Sequence, residues 1–194
     1  MKRIITTLCA MALIAFGSTS MAASDKQIRE EARFLADKIA HEMDLDKNQL
    51  NDAFEINYDF LKAVHPLLEA IEQGDNKAIT RYYVLLDIRN SELVWILDHD
   101  KFTRYFDIEY LYRPLYLKEG KAQLRAYDTY GKKKFYKGKP KSMSRYKGEH
   151  DRNKLESSYY KGRYRQIAFG GQPRLLHDVH KEKMKFYRKA DFGK

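Results

Sequence analysis

The chain has 194 residues, 43% of them hydrophobic and 33% charged, with 37 Lys/Arg against 27 Asp/Glu for a net charge of +10. That is enough apolar material for one domain with a real core, and it excludes a chain too polar to fold. The single cysteine, Cys9, excludes a disulfide framework and a thiolate-built metal site.

Met1-Lys2-Arg3 begins the chain with positive charge, Ile4 to Phe16 is apolar, and small residues then run to Met21-Ala22. This is the three-part pattern of a secretory signal peptide, residues 1–22, cut after Ala22 or Ala23. The apolar run is shorter than the ~20 residues that a membrane span needs. Export to the periplasm or the exterior is therefore expected, and Cys9 is lost with the signal.

Charge divides the remainder. Residues 24–117 carry 12 Lys/Arg against 19 Asp/Glu, whereas residues 118–194 carry 23 against 8. An acidic half followed by a strongly basic one points to a segment that binds an anion or folds back on its acidic partner.

Ser24 with Gln27 is a capping box, and Ile28, Ala32, Leu35, Ile39 and Met43 recur on one stripe opposite Glu30, Arg33, Asp37 and Lys38. The spacing predicts a first helix over 25–43. Asp46 with Gln49 opens a second over 47–73. There Leu50, Phe54, Leu61, Val64, Leu68 and Ile71, with Asn57 in the gap, are spaced alternately four and three, the seam of a helix packed lengthwise on another. Asn57 either sets register or sits at the seam's edge with Ile56 and Phe60 inside it. Pro66 lacks an amide and predicts a kink near 62–65. Ile79, Tyr82, Leu86, Leu93 and Ile96 or Leu97 predict a third helix over 76–97, with Arg81, Asp87, Arg89 and Glu92 facing elsewhere. A fourth over 100–112 stops at Arg113-Pro114.

With short connections these make an antiparallel four-helix hairpin bundle, an all-α fold, over 24–117. Beyond Leu117 Gly, Lys and Tyr dominate, and Tyr-Lys-Gly occurs at 136–138, 146–148 and 160–162. Residues 118–194 are expected to be a basic, Tyr-rich tail of low order, with a short helix at 175–189.

Leu45-Asp46-Lys47-Asn48-Gln49 opens the second helix and Leu97-Asp98-His99-Asp100-Lys101 the fourth. Each resembles the Leu-Thr-x-x-Gln turn used twice by the Spy/CpxP family of small secreted envelope proteins. The resemblance covers residues 25–112, with Asp46 and Asp98 in the threonine's place and Lys101 in that of the second glutamine. It implies helical hairpins assembled as a homodimer cradle, a chaperone or stress-sensing role, and structural duties for Leu45, Asp46, Gln49, Leu97 and Asp98.

No set of residues points to a reaction. His177 and His180 are two imidazoles without further ligands, and His150 lies where nothing would fix its geometry. Gly170-Gly171 lacks the strand and helix of a phosphate loop. The carboxylates Asp52, Glu55 and Asp59 read as an exposed helical face. A non-enzymatic protein without cofactor or metal is expected.

Binding residues stand out better. Tyr105, Tyr110, Tyr112 and Arg113 form an aromatic cluster that suits either core packing or a groove. Lys132, Lys133, Lys134, Tyr136, Lys137, Arg145, Tyr146, Tyr160 and Arg163 interleave cations with rings, as an anion-binding segment requires. Export makes nucleic acid a poor partner. Two functions remain: binding of unfolded or envelope-localised proteins in the Spy/CpxP manner, or attachment to acidic lipid or glycan through the tail.

Overall fold

Ser24, Asp46, Asp75 and Asp98 each precede a run of helical periodicity, and each caps a helix in the computed structural model. Described are residues 23–113, 115–134, 145–148, 160 and 191–192, the side chains of residues 99 and 134 excepted. The predicted signal peptide and the predicted helix at 175–189 lie outside them. The described residues are predominantly helical, as their patterning predicts.

Helix α1 spans Asp25–Met43 and ends where Asp44 turns left-handed at φ 51°, a conformation that aspartate tolerates. Helix α2 spans Lys47–Val64. At Pro66 the predicted second helix tightens into a 3-10 turn, His65–Leu67, and continues as α3, Leu68–Glu72. Helix α4 spans Asn76–Ile96, and α5 spans His99–Ile108 and closes in a 3-10 turn at Glu109–Tyr112.

Helix α2 packs along both α1 and α4, while α5 lies against α1 and α4. Having two helical neighbours, α2 buries more than its seam: Phe54, Tyr58 and Leu61 lie on one side and Ile56 and Phe60 on another, and all five are buried. Asn57 is fully buried and its Nδ2 donates to the Ala53 carbonyl at 2.7 Å, one turn back in its own helix. Its Oδ1 has no partner among the described residues.

The two look-alike turns meet in space. Asp46 Oδ1 accepts from the amides of Asn48 and Gln49 at 2.7 and 2.9 Å, and Gln49 Oε1 accepts from the Asp46 amide at 3.1 Å. Gln49 Nε2 then donates to the Ile96 carbonyl at 2.8 Å, at the end of α4. In the other turn Asp98 caps the Lys101 amide at 2.7 Å, and Lys101 Nζ reaches the Asp44 carbonyl at 2.9 Å. The lysine that breaks the second capping box thus ties the second turn to the first.

Beyond α5 the structure departs from the expected low order. Strands β1, Tyr116–Lys118, and β2, Lys121–Gln123, form an antiparallel hairpin, so the predicted boundary at 117/118 falls inside a strand. Glu119 and Gly120 both have positive φ, 54° and 73°, as a two-residue hairpin turn requires. The hairpin rests on α3 through the Ala122 amide, which donates to Glu72 Oε1 at 2.8 Å. Helix α6, Arg125–Tyr130, follows and buries Ala126. It also covers the polar side of α1: the Tyr127 ring lies 4.4 Å from that of Phe34, and Lys38 Nζ lies 4.0 Å from the centre of the Tyr130 ring. Arg33 and Lys38, predicted to face solvent, are therefore buried.

Gln49→Ala is expected to remove both the reciprocal half of the cap and the donor to Ile96, lowering stability by about 1–3 kcal/mol. Gln49→Glu keeps the cap acceptor but loses the donor, and should fall between the two in urea denaturation.

Candidate functional site

Two of the three Tyr-Lys-Gly tyrosines are described, and each hydrogen-bonds a carboxylate on α2. Tyr160 donates to Glu55 Oε2 at 3.1 Å, and the Tyr146 hydroxyl donates to Asp59, one helical turn further on. Asp52, in the same row, is buried. Glu55 and Asp59 are thus partly covered by the chain's own basic half and Asp52 is buried, where an open face was predicted.

Around Tyr146 the contacts multiply. Arg29 donates to the Tyr146 carbonyl, Lys62 Nζ donates to the Lys147 carbonyl at 3.3 Å, and the Tyr58 ring meets that of Tyr146 edge-on at 5.5 Å. Gly148 closes the tripeptide at φ +77°, where a Cβ would stand 2.6 Å from Asp59 Oδ1 and 2.9 Å from Tyr58 Cε1. No other residue type fits there. The Tyr58 hydroxyl donates to Asp25. That bond, with the Arg29 guanidinium, holds Asp25 below the usual carboxylate range, while burial and Asp25 push Tyr58 up to about 12.

The second site is a buried polar network between α4, the turn after α5, and residues 191–192. Glu109 Oε1 accepts from Asn90 Nδ2 at 3.1 Å and from Arg89 Nη2 at 3.4 Å, and its Oε2 accepts from Arg113 Nε at 2.8 Å. Arg89 also donates to the Tyr112 carbonyl at 3.1 Å and to the Tyr105 hydroxyl at 3.0 Å, and its guanidinium lies 5.0 Å from the centre of the Phe60 ring. All of these side chains are buried.

Asp191 completes the network. Its Oδ2 accepts from Arg113 Nη1 and from the Tyr83 hydroxyl, both at 3.0 Å, and its Oδ1 accepts from Arg125 Nη2 at 2.8 Å. Burial opposes the charge on Arg113, but Glu109 and Asp191 outweigh it and hold the guanidinium protonated beyond its ordinary range. Burial, with Asp191 as an added cause, raises the hydroxyls of Tyr82 and Tyr83.

The predicted site residues therefore separate. Tyr105, Tyr112, Arg113 and Tyr160 are buried and present no surface to a partner; they pack or anchor the fold. Tyr110 and Tyr146 are half-buried, and Lys132, Lys133 and Arg145 are exposed. Tyr136, Lys137, Arg163 and the Lys134 side chain lie outside the described residues, as do His150, His177, His180 and Gly170-Gly171. Arg89 is corrected: it was predicted to face away from the apolar stripe of α4, yet it fills the gap between Leu86 and Leu93 on that stripe. The gap itself was the signal. For Asp191 and Phe192 the sequence offers none.

Among the described residues no helix is long and apolar enough to cross a membrane, and no group of three or more His, Cys, Asp or Glu stands in metal-binding geometry. No protein family, no curated protein and no solved structure matches this chain.

Glu109→Gln is expected to cost about 3–5 kcal/mol, measured by chemical denaturation, because it leaves buried guanidiniums without their shared carboxylate. Gly148→Ala should detach residues 145–148 from Asp59 and Tyr58, seen as faster tryptic cleavage after Arg145 and Lys147 with the helical content unchanged.

Proposed function

We propose that this is a non-enzymatic, exported protein that attaches to polyanionic surfaces bearing phosphate, sulfate or carboxylate groups through the cations of its basic half. The helical half, read as an antiparallel hairpin bundle, serves as the scaffold that holds the basic half in place.

One observation carries this reading. Where described, residues beyond 135 are fastened to the helical half by hydroxyls, carbonyls, a carboxylate and a ring: Tyr146, Tyr160, the carbonyls of Tyr146 and Lys147, Asp191 and Phe192. Of the cations in these bonds, Arg29, Lys62 and Arg113 belong to the helical half, while Arg125, in the basic half, binds Asp191 of that same half. The exposed cations Lys132, Lys133, Arg145 and Lys147 pair with no carboxylate among the described residues. A basic segment that merely neutralised an acidic scaffold would spend its lysines on it. This one pairs one described lysine with the helical half, Lys121 with Glu72 at 3.7 Å, and leaves those four charges in water, where they attract an external anion.

The Spy/CpxP-like reading, holding unfolded clients, calls for an exposed apolar surface. Val84 is the one large hydrophobic residue exposed among those described, at 44%. The four exposed cations support the electrostatic reading, and the described residues offer little apolar surface to the chaperone-like one. With export expected, acidic lipid headgroups and acidic glycans are the partners in reach.

Binding to vesicles containing phosphatidylglycerol, and to a sulfated glycan, is expected to weaken steeply with salt, with neutral phosphatidylcholine vesicles left unbound. Lys132→Glu, Lys133→Glu, Arg145→Glu and Lys147→Glu together should weaken it by about a thousandfold, at about 1 kcal/mol per cation. Salt-independent binding, or binding indifferent to these substitutions, would refute the proposal; the two anionic probes tell lipid from glycan.

A further inference from the structure

We infer that the cradle made by Arg113, Arg125, Tyr82 and Tyr83 is a recognition site for a short peptide segment carrying an aspartate followed by an aromatic ring, with the chain's own Asp191-Phe192 as its resident ligand. The inference is independent of the polyanion reading, since none of the four exposed cations takes part.

The cradle reads both halves of the pair. The carboxylate is held at both oxygens by three donors from three places in the fold: Tyr83 on α4, Arg113 after α5, and Arg125 on α6. The next residue, Phe192, stands edge-on to Tyr82 and Tyr83, with ring centroids 5.6 and 5.9 Å apart. Those two rings meet each other edge-on at 5.2 Å. A charge and a ring on adjacent residues are thus recognised together, and a lone anion or a lone ring would satisfy half of the site.

The donors are held by groups other than the ligand. Arg113 is fixed through Nε by Glu109 at 2.8 Å, and Glu109 in turn by Asn90, which leaves Nη1 aimed at the ligand. The Arg125 guanidinium lies 3.9 and 4.6 Å from the ring centres of Tyr110 and Tyr116. Binding to so preorganised a site costs little ordering of the protein, which is the condition for a ligand to be exchanged without loss of the fold. An empty cradle also demands an anion: Arg125 has no carboxylate other than Asp191 within ion-pair distance among the described residues. The Arg125 side chain retains 16% of its exposure, so the site opens to solvent at that edge.

The test uses the full chain with the resident pair replaced, Asp191→Ala with Phe192→Ala, and a fluorescent peptide of the sequence of residues 187–194. The peptide should bind this variant at least tenfold more tightly than it binds the unaltered chain, whose cradle is filled. Peptides carrying Asp191→Asn or Phe192→Ala should lose tenfold or more, as should Arg125→Gln in the emptied chain. If emptying the cradle unfolds the chain, recovery of helical circular dichroism with added peptide supports the site equally. A folded emptied chain that binds the peptide no better than the unaltered chain overturns the proposal. So does indifference to the peptide's aspartate and phenylalanine, or an emptied chain that stays unfolded in saturating peptide.

Discussion

Glu109 is the carboxylate on which the interior turns. Two buried guanidiniums, Arg89 and Arg113, and the amide of Asn90 all converge on its two oxygens. Charges removed from water are tolerated only when paired and fully hydrogen-bonded. Glu109 meets that condition for α4 and the turn after α5 together, and Arg113 passes it on to Asp191. Helix α4, the end of α5 and residues 191–192 are thereby joined by one polar chain, so displacing any of them strands a charge in an apolar interior.

This network explains how two halves of opposite charge coexist in one fold. A basic segment laid on an acidic scaffold would be expected to use its lysines as the adhesive. Lys121 does pair with Glu72 at 3.7 Å, but the described residues beyond 135 use tyrosine hydroxyls against Asp59 and Glu55, backbone carbonyls against Arg29 and Lys62, and one carboxylate against Arg113 and Arg125. Tyrosine suits the task because its ring packs while its hydroxyl finds an acceptor, and it leaves the neighbouring lysine side chain in water. In Tyr146-Lys147-Gly148 each residue has a separate duty: the ring and hydroxyl anchor, the lysine side chain is exposed while its carbonyl accepts, and the glycine permits close approach.

The same division underlies the proposed function. Client holding depends on apolar surface, and the described residues spend theirs internally, down to the polar side of α1 beneath α6. Anion attachment depends on unpaired surface cations, and these are present. The aromatic cluster around Arg113, which suited either a groove or a core, serves the core: Tyr105 and Tyr112 surround Arg89, while Tyr110 lies against Arg125.

The helices, their caps and the break at Pro66 were legible in the sequence because they rest on local chemistry: a side chain reaching three residues, a stripe every three or four, a ring that cannot donate. The β1–β2 hairpin was not, since Glu119-Gly120 is a weak turn signal and the strands are three residues long. Asn57 and Arg89 were visible only as gaps in apolar stripes. Whether such a gap points inward or outward depends on how many neighbours a helix has, and α2 and α4 have more than their periodicity reveals. Tertiary structure alone decided which tyrosines meet Glu55 and Asp59, and that Asp191 lies 3.0 Å from Arg113. Contacts between residues dozens of positions apart are made by chain geometry, and they leave no period or spacing in the sequence.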